Sequence, residues 1–332
     1  MKFVGQRLRM SAAGLALGVT LAACGQAAQE PGGTAHADPG IGHVHGLGVD
    51  PADGALYVAG HYGLFKITSP AVATRVADRD QDHMGFTIMG PKTFLASGHP
   101  SAEDVSTGRP PHLGLIRSTD SGLTWQTLSE DGSADFHSIQ PAGDSLYAYD
   151  SQTSKVWRSL DGGSTWTQGA KEKVIDLGAE AAQPSRVYAT TPDGLKVSED
   201  GGLNYKEVAK APLLTHIDVV ADGVLVGAAA DGQIHTSQDS GKTWSVAGRL
   251  PRQAAAFTAV DRQRLLAAME DGTVLDSKDG GKTFTTAFPP RADRRPQERQ
   301  SPLAEGIRSD PTIESSRTSH HRSLSAKAYQ RL

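Results

Sequence analysis

The sequence predicts an all-β chain folded as a six-bladed β-propeller, and three observations lead to this prediction. An eight-residue motif occurs five times, beginning at Ser118, Ser159, Ser198, Ser237 and Ser277. Successive copies begin 41, 39, 39 and 40 residues apart, which is the length of one four-stranded blade. Between the copies lie short runs of Val, Leu, Ile, Tyr and Phe, separated by turns that contain Gly and Asp. Six blades is our count, and seven is the alternative.

The chain begins with a segment typical of a bacterial lipoprotein signal peptide. Lys2, Arg7 and Arg9 form a basic start, an apolar stretch follows, and Leu-Ala-Ala precedes Cys24, the only cysteine in the sequence. We predict a signal peptide over 1–23, lipidation of Cys24, and a flexible tether over 24–40 that is rich in Gly, Ala and Pro. These features predict an extracytoplasmic protein that is lipid-anchored to the bacterial cell membrane.

The propeller is predicted over residues 41–288. Its first blade, at about 43–77, lacks the repeated motif, and the other five lie at about 85–128, 136–168, 174–208, 216–247 and 254–288. Closure of the ring removes exposed strand edges, so we expect a monomer.

The repeated motif, S-x-D-x-G-x-T-W in its first copy, predicts a tight turn between the third and fourth strands of a blade. Glycine at its fifth position can adopt a positive φ, and the Ser, Asp and Thr side chains can hydrogen-bond within the turn. The motif aspartates are therefore interpreted as structural. They are Asp120, Asp161, Asp200, Asp239 and Asp279.

After residue 288 the composition changes. Residues 289–332 contain eight arginines and one lysine against five acidic residues, with few apolar residues, which predicts a basic disordered tail. Residues 25–288 carry 21 basic and 32 acidic residues, a net charge of −11. This acidic balance argues against nucleic-acid binding.

The motif is identified as an Asp-box, or BNR repeat, and residues 43–288 resemble the sialidase-like propeller superfamily. The chain is similar to bacterial lipoproteins commonly labelled glycosyl hydrolases, and it also resembles the photosystem II assembly factors. The resemblance implies Asp-boxes at the periphery of the blades, away from an active site. It does not imply one activity, because one fold hosts many functions.

Eight of the twelve histidines are predicted to lie at one face of the ring. The first strand of each blade begins at this face, which we call the upper face, and the turn after the second strand returns to it. The motif turns lie at the opposite, lower face. The predicted metal- or ligand-binding residues are His43, His45, His61, His83, His99, His112, His137 and His216.

A transition metal is the first interpretation of this histidine set. His43 and His45, two residues apart on a strand, project to the same side, which suits two ligands of one ion. Imidazoles without an available thiolate suit Cu(II) or Zn(II), and Met84 would add a soft ligand for Cu(I). Three aspartates, Asp80, Asp82 and Asp135, are predicted to orient the rings by hydrogen bonds.

Three other functions remain open for the upper face, and no catalytic residue is assigned. A carbohydrate or another small ligand could occupy the mouth of the ring without metal. The resemblance to sialidases implies an exo-acting glycoside hydrolase whose arginines grip a carboxylate, with Arg79 and Arg109 as candidates. The resemblance to photosystem II assembly factors implies a membrane-associated scaffold whose protein partner the sequence does not identify.

Overall fold

Six four-stranded antiparallel sheets make up the fold in the computed structural model, which describes residues 40–70 and 72–290. Each sheet contains four strands that are consecutive in the chain and hydrogen-bonded in sequence order. The six-bladed β-propeller is confirmed, and the described residues contain no seventh blade. The predicted signal peptide, Cys24, nearly all of the tether and the basic tail from Arg291 onward lie outside the described residues.

The strands have the following bounds. Blade 1 contains β1 (Val44–Val49), β2 (Leu56–Gly60), β3 (Gly63–Ser69) and β4 (Val72–Arg75). Blade 2 contains β5 (Asp82–Gly90), β6 (Thr93–His99), β7 (Leu115–Ser118) and β8 (Gln126–Ser129). Blade 3 contains β9 (Phe136–Ala142), β10 (Ser145–Asp150), β11 (Lys155–Ser159) and β12 (Thr167–Lys171). Blade 4 contains β13 (Asp176–Ala179), β14 (Val187–Thr191), β15 (Gly194–Ser198) and β16 (Lys206–Glu207). Blade 5 contains β17 (Leu214–Ala221), β18 (Val224–Ala229), β19 (Gln233–Ser237) and β20 (Ser245–Arg249). Blade 6 contains β21 (Ala256–Ala259), β22 (Leu265–Ala268), β23 (Val274–Ser277) and β24 (Thr285–Phe288).

Two short helical segments accompany the strands. A 3₁₀ turn, Val76–Asp78, connects blades 1 and 2, and helix α1 (Ala102–Ser106) lies between β6 and β7. The Ser101 hydroxyl caps α1 by accepting the N–H of Asp104 at 3.1 Å. No helix in the part of the chain that the structure describes is long and apolar enough to span a membrane.

The core lies between neighbouring blades. The second strands β2, β14, β18 and β22 are buried along their whole length, because each has a neighbouring blade on both faces. The last and first blades meet in the same way. Val44 and Leu56 of blade 1 share one apolar cluster with Ala256 and Leu266 of blade 6, and the Thr258 hydroxyl donates to the Leu47 carbonyl at 3.1 Å. The ring therefore closes by packing, without a strand exchanged between the first and last blades.

The five motif turns share one hydrogen-bond pattern, shown here for the first copy. The Ser118 hydroxyl donates to Asp120 Oδ1 at 2.8 Å and accepts the N–H of Gly122 at 2.8 Å. The Asp120 carboxylate then accepts the backbone N–H and the hydroxyl of Thr124 at 2.9 and 2.6 Å. In the third copy the Asn204 amide replaces the threonine hydroxyl. Because every motif joins a third strand to a fourth, these turns lie at the lower face and leave the upper face to other residues.

Two partly buried aspartates connect the inner strands of blades 4, 5 and 6. Asp176 accepts the N–H of Ile217 at 3.0 Å, and Asp218 accepts the N–H of Ala259 at 2.7 Å. Burial raises the pKa of Asp176 and raises that of Asp218 well above the ordinary aspartate value. These side chains bridge neighbouring blades around the axis.

Candidate metal centre

The upper face of blades 1 to 3 gathers side chains from the ends of several strands. His45 is the second residue of β1, and Asp82 is the first residue of β5. His61 lies in the turn between β2 and β3, and His99 ends β6. Antiparallel pairing places all four at the same end of adjacent sheets, since a first strand begins where a second strand ends.

Asp82 lies among three imidazoles. Its Oδ1 is 3.4 Å from His45 Nε2, and its Oδ2 is 3.0 Å from His61 Nδ1 and 3.4 Å from His99 Nδ1. The Asp82 side chain is only 12% exposed, whereas that of His61 is 52% exposed. One ligand atom each from His45, His61 and Asp82 lie within 4.8 Å of one another. We call His45, His61 and Asp82 the Asp82 group.

A second set lies beside the first. Ligand atoms of His99, His112 and Asp135 also lie within 4.8 Å of one another, and we call these residues the Asp135 group. His137 Nε2 lies 2.9 Å from Asp135 Oδ2, and the Ser151 hydroxyl donates to the same oxygen at 2.8 Å. His137 and Ser151 therefore fix the orientation of a carboxylate that is 4% exposed.

Buried polar atoms without a hydrogen-bond partner concentrate in these groups. Within residues 40–70 and 72–290, eight buried side-chain nitrogen or oxygen atoms lack such a partner. Four of them are His45 Nε2, Asp82 Oδ1, His112 Nδ1 and Asp135 Oδ1. An unpaired buried polar atom costs about 1–3 kcal/mol, so each group has an imidazole nitrogen and a carboxylate oxygen that a bound cation would satisfy.

Electrostatics keeps two of these side chains in the protonation states that bind metal. Burial lowers the pKa of His45 to about 4, an effect that neighbouring histidines reinforce and Asp82 opposes. Burial acts to raise the pKa of Asp135, but interactions with His137 and Ser151 outweigh it and hold that pKa at about 2. At neutral pH His45 is a neutral imidazole and Asp135 a carboxylate, and neither loses a proton when a metal binds.

Three predicted residues that belong to neither group, His43, His216 and Met84, line an axial cavity of about 280 Å³ together with His45 and His137. His43 packs edge-on against His45, with ring centroids 4.8 Å apart, and its Nδ1 lies 3.5 Å from Glu270 Oε2. His216 lies 3.1 Å from the Thr215 hydroxyl, and burial lowers its pKa. Met84 also lines the cavity, and none of the three residues belongs to either group.

His83 and Asp80 also lie outside the two groups. The His83 ring is buried against Trp125, with centroids 5.2 Å apart, and burial lowers its pKa to about 4. Successive side chains of a strand point in opposite directions, so His83 points away from the side on which Asp82 lies. Asp80 is exposed and contributes no ligand atom to either group.

The carboxylates of Asp82 and Asp135 are placed to bind an ion directly, a role that the sequence does not predict. Asp82 and Asp135 are predicted only to orient the rings, but their oxygens lie among the imidazole nitrogens as possible ligands themselves. Glu270 beside His43 is absent from the predicted set. It follows the second strand of blade 6, the position that His61 and His99 occupy in blades 1 and 2, so the same topological rule could have found it.

Comparisons with known proteins support the fold. No protein-family model matches the chain, and no curated protein matches it. Among solved structures, a nidogen/laminin complex chain is 13% identical with a TM-score of 0.52, covering 71% of this chain and 93% of that one. A gluconolactonase from Xanthomonas campestris is 14% identical with a TM-score of 0.51, covering 74% and 85%. YCF48 bound to a D1 peptide is 19% identical with a TM-score of 0.46, covering 75% and 83%. At these identities the two structures with TM-scores above 0.5 support the fold alone and no particular activity.

Proposed function

We propose that this protein binds a transition metal ion, Cu(II) or Zn(II), at the Asp82 group on the upper face of the propeller. The observation that carries the proposal is the pair of unpartnered buried atoms, His45 Nε2 and Asp82 Oδ1, which lie 3.4 Å apart. His61 Nδ1 lies 3.0 Å from the other oxygen of the same carboxylate, Asp82 Oδ2. A cation between these atoms would satisfy both of them.

The spacing of these atoms suits a first-row metal. Bonds of about 2.0–2.2 Å to nitrogen and oxygen place neighbouring ligand atoms of a tetrahedral site about 3.3–3.6 Å apart. His45 Nε2 and Asp82 Oδ1 already have this separation. The His61 ring can adjust to complete the polyhedron, because its side chain is 52% exposed.

The donor types select among metals. Two imidazoles and a carboxylate are suited to Zn(II) and Cu(II), whereas Ca(II) and Mg(II) prefer oxygen ligands alone. The Asp82 group supplies only imidazole and carboxylate ligands, without the soft sulfur ligand that would favour Cu(I).

A small polar ligand is the second candidate, and the axial cavity supports it. The cavity has a volume of about 280 Å³. Of the residues that line it, His45 belongs to the Asp82 group, and His137 contacts Asp135 of the Asp135 group. A ligand in the cavity would therefore lie next to a metal bound at the Asp82 group.

The sialidase-like hydrolase has no comparable support among the described residues. Its arginine clamp would have to converge on the mouth of the ring, but no arginine is among the described residues that line the axial cavity. Arg109 instead lies 3.7 Å from Asp131 and 3.4 Å from the Thr127 hydroxyl, and Arg79 is exposed. The scaffold function has no identified partner surface.

We further propose that the protein acts as a monomer outside the cytoplasm, attached to the membrane by a lipid on Cys24. The support is the basic and apolar start of the chain and the position of its single cysteine after Leu-Ala-Ala. Such an anchor would hold the metal site near the membrane surface.

The metal proposal is tested by equilibrium dialysis of the purified full chain against Zn(II) and Cu(II), followed by competition with a chelator. We expect retained metal, and an affinity at least about tenfold weaker in His45→Ala and Asp82→Asn, since loss of a direct ligand should exceed the effect of losing a supporting contact. His235→Ala is the matched control, because His235 lies within β19 and outside both groups. Equal affinity in all four proteins, or no retained metal, would overturn the proposal.

A further inference from the structure

The His99 ring lies between the two groups and faces both carboxylates. Its Nδ1 is 3.4 Å from Asp82 Oδ2, and its Nε2 is 3.6 Å from Asp135 Oδ2. The two ring nitrogens therefore point into different groups. A neutral imidazole carries one N–H, so it can donate to one carboxylate and must present a lone pair to the other.

We propose that the upper face holds two metal ions bridged by the imidazolate of His99, an inference that rests on the metal site proposed above. The first ion binds His45, His61, Asp82 and His99 Nδ1. The second binds His112, Asp135 and His99 Nε2. Each ring nitrogen donates its lone pair to one ion, and the ring N–H proton is released to solvent when the bridge forms.

The second site has its own structural support. His112 Nδ1 and Asp135 Oδ1 are buried without hydrogen-bond partners, as are the corresponding atoms of the Asp82 group. The other Asp135 oxygen is occupied by His137 and Ser151, so Oδ1 is left as the oxygen available to an ion. His137 is thus a positioning residue that orients Asp135.

The charges of the two groups also favour a bridge. Two divalent ions bring four positive charges, while Asp82 and Asp135 supply two negative charges in poorly hydrated positions. An imidazolate adds a third negative charge between the ions, where repulsion between them is strongest. Binding both ions at once therefore costs less electrostatic free energy with the imidazolate bridge than with two neutral imidazole ligands.

Copper distinguishes a bridged pair from two separate ions. The full chain is loaded with Cu(II) and dialysed, bound copper is counted by mass spectrometry, and the unpaired spins are counted by electron paramagnetic resonance. We expect two copper ions per chain with a spin count well below two at liquid-helium temperature, since a shared imidazolate couples the two spins antiferromagnetically but weakly. His112→Ala should retain one copper with a full spin count, and His99→Gln should lose copper or restore the full spin count of what it binds.

The other possible results of the copper experiment refute the bridge, the second site or the proposed function. Two copper ions with two full spins would refute the bridge. One copper per chain would refute the second site and leave the first standing, whereas no bound copper or zinc would refute both this inference and the proposed function. Thermal unfolding in chelator shows that each variant folds, and His235→Ala should match the unsubstituted chain in both counts.

Discussion

The glycines of the second repeated motif provide a direct test of how the motif turns hold the blades together. Gly162 and Gly163 are neighbours, and both have a positive φ, +71° and +96°. A Cβ on Gly162 would meet no atom within 4 Å, whereas a Cβ on Gly163 would lie 2.3 Å from Leu115 Cδ2. The two alanine substitutions therefore share the backbone cost and differ in packing.

The magnitudes follow from these two environments. An alanine in the left-handed region costs about 1–2 kcal/mol, which applies to both variants. At Gly163 the methyl group also enters the space of Leu115, which is fully buried in blade 2 and has little room to move because Leu146 and Leu128 lie beside the same site. Overpacking a core of this kind costs about 1–3 kcal/mol. We expect Gly163→Ala to be less stable than Gly162→Ala by that additional amount.

Urea unfolding monitored by tryptophan fluorescence measures the free energy of unfolding of both variants and the unsubstituted chain. In thermal unfolding, the additional loss of about 1–3 kcal/mol in Gly163→Ala corresponds to a Tm about 2–12 °C lower than that of Gly162→Ala. Equal losses of stability in the two variants would refute the reasoning, because they would show that the fifth motif residue does not pack against the neighbouring blade.

Two pH effects of opposite sign are expected, one from the motif-turn aspartate Asp161 and one from the inner-strand aspartate Asp218. Hydrogen bonds from Thr165 and Ser159 hold the pKa of Asp161 at about 2, so its stabilising contribution is present above about pH 4 and is lost as the pH falls towards 2. Urea unfolding between pH 5 and 2 should show a smaller loss for Asp161→Asn, and an unchanged pH profile would contradict this. Burial raises the pKa of Asp218, so the folded chain retains a proton that the unfolded chain releases. The free energy of unfolding therefore decreases as the pH rises from about 4 towards the pKa of Asp218 in the folded chain. Asp218→Asn should remove that decrease, and an identical slope from pH 4 to 8 in both proteins would show that Asp218 does not titrate in this way.

The fold was predictable because its signals are local and repeated. Each motif copy contains the atoms that close its own turn, as the bonds among Ser118, Asp120 and Thr124 show. The spacing then gives the blade length, and alternation of apolar residues gives the strands. The first blade lacks the motif, but its strands are paired by the same pattern of turns at Gly54 and Gly63.

Much of the site geometry was not predictable, because it depends on side-chain direction and on contacts between blades. The topological rule places His45, His61 and His99 at the upper face, but it does not show that they surround Asp82. His83 lies at the same end of the fold and still points into the packing around Trp125, since one step along a strand reverses the side chain. Asp176 and Asp218 have no sequence signal, because their partners are backbone N–H groups of the next blade.

Anomalous X-ray diffraction at the zinc edge, on crystals of the zinc-loaded protein, tests the metal site most directly. A strong peak is predicted within about 2.0–2.2 Å of His45 Nε2 and of an Asp82 oxygen, the bond lengths of zinc to nitrogen and oxygen. Peaks confined to other surfaces, or an Asp82 group without anomalous density in crystals that contain zinc, would contradict the proposed function.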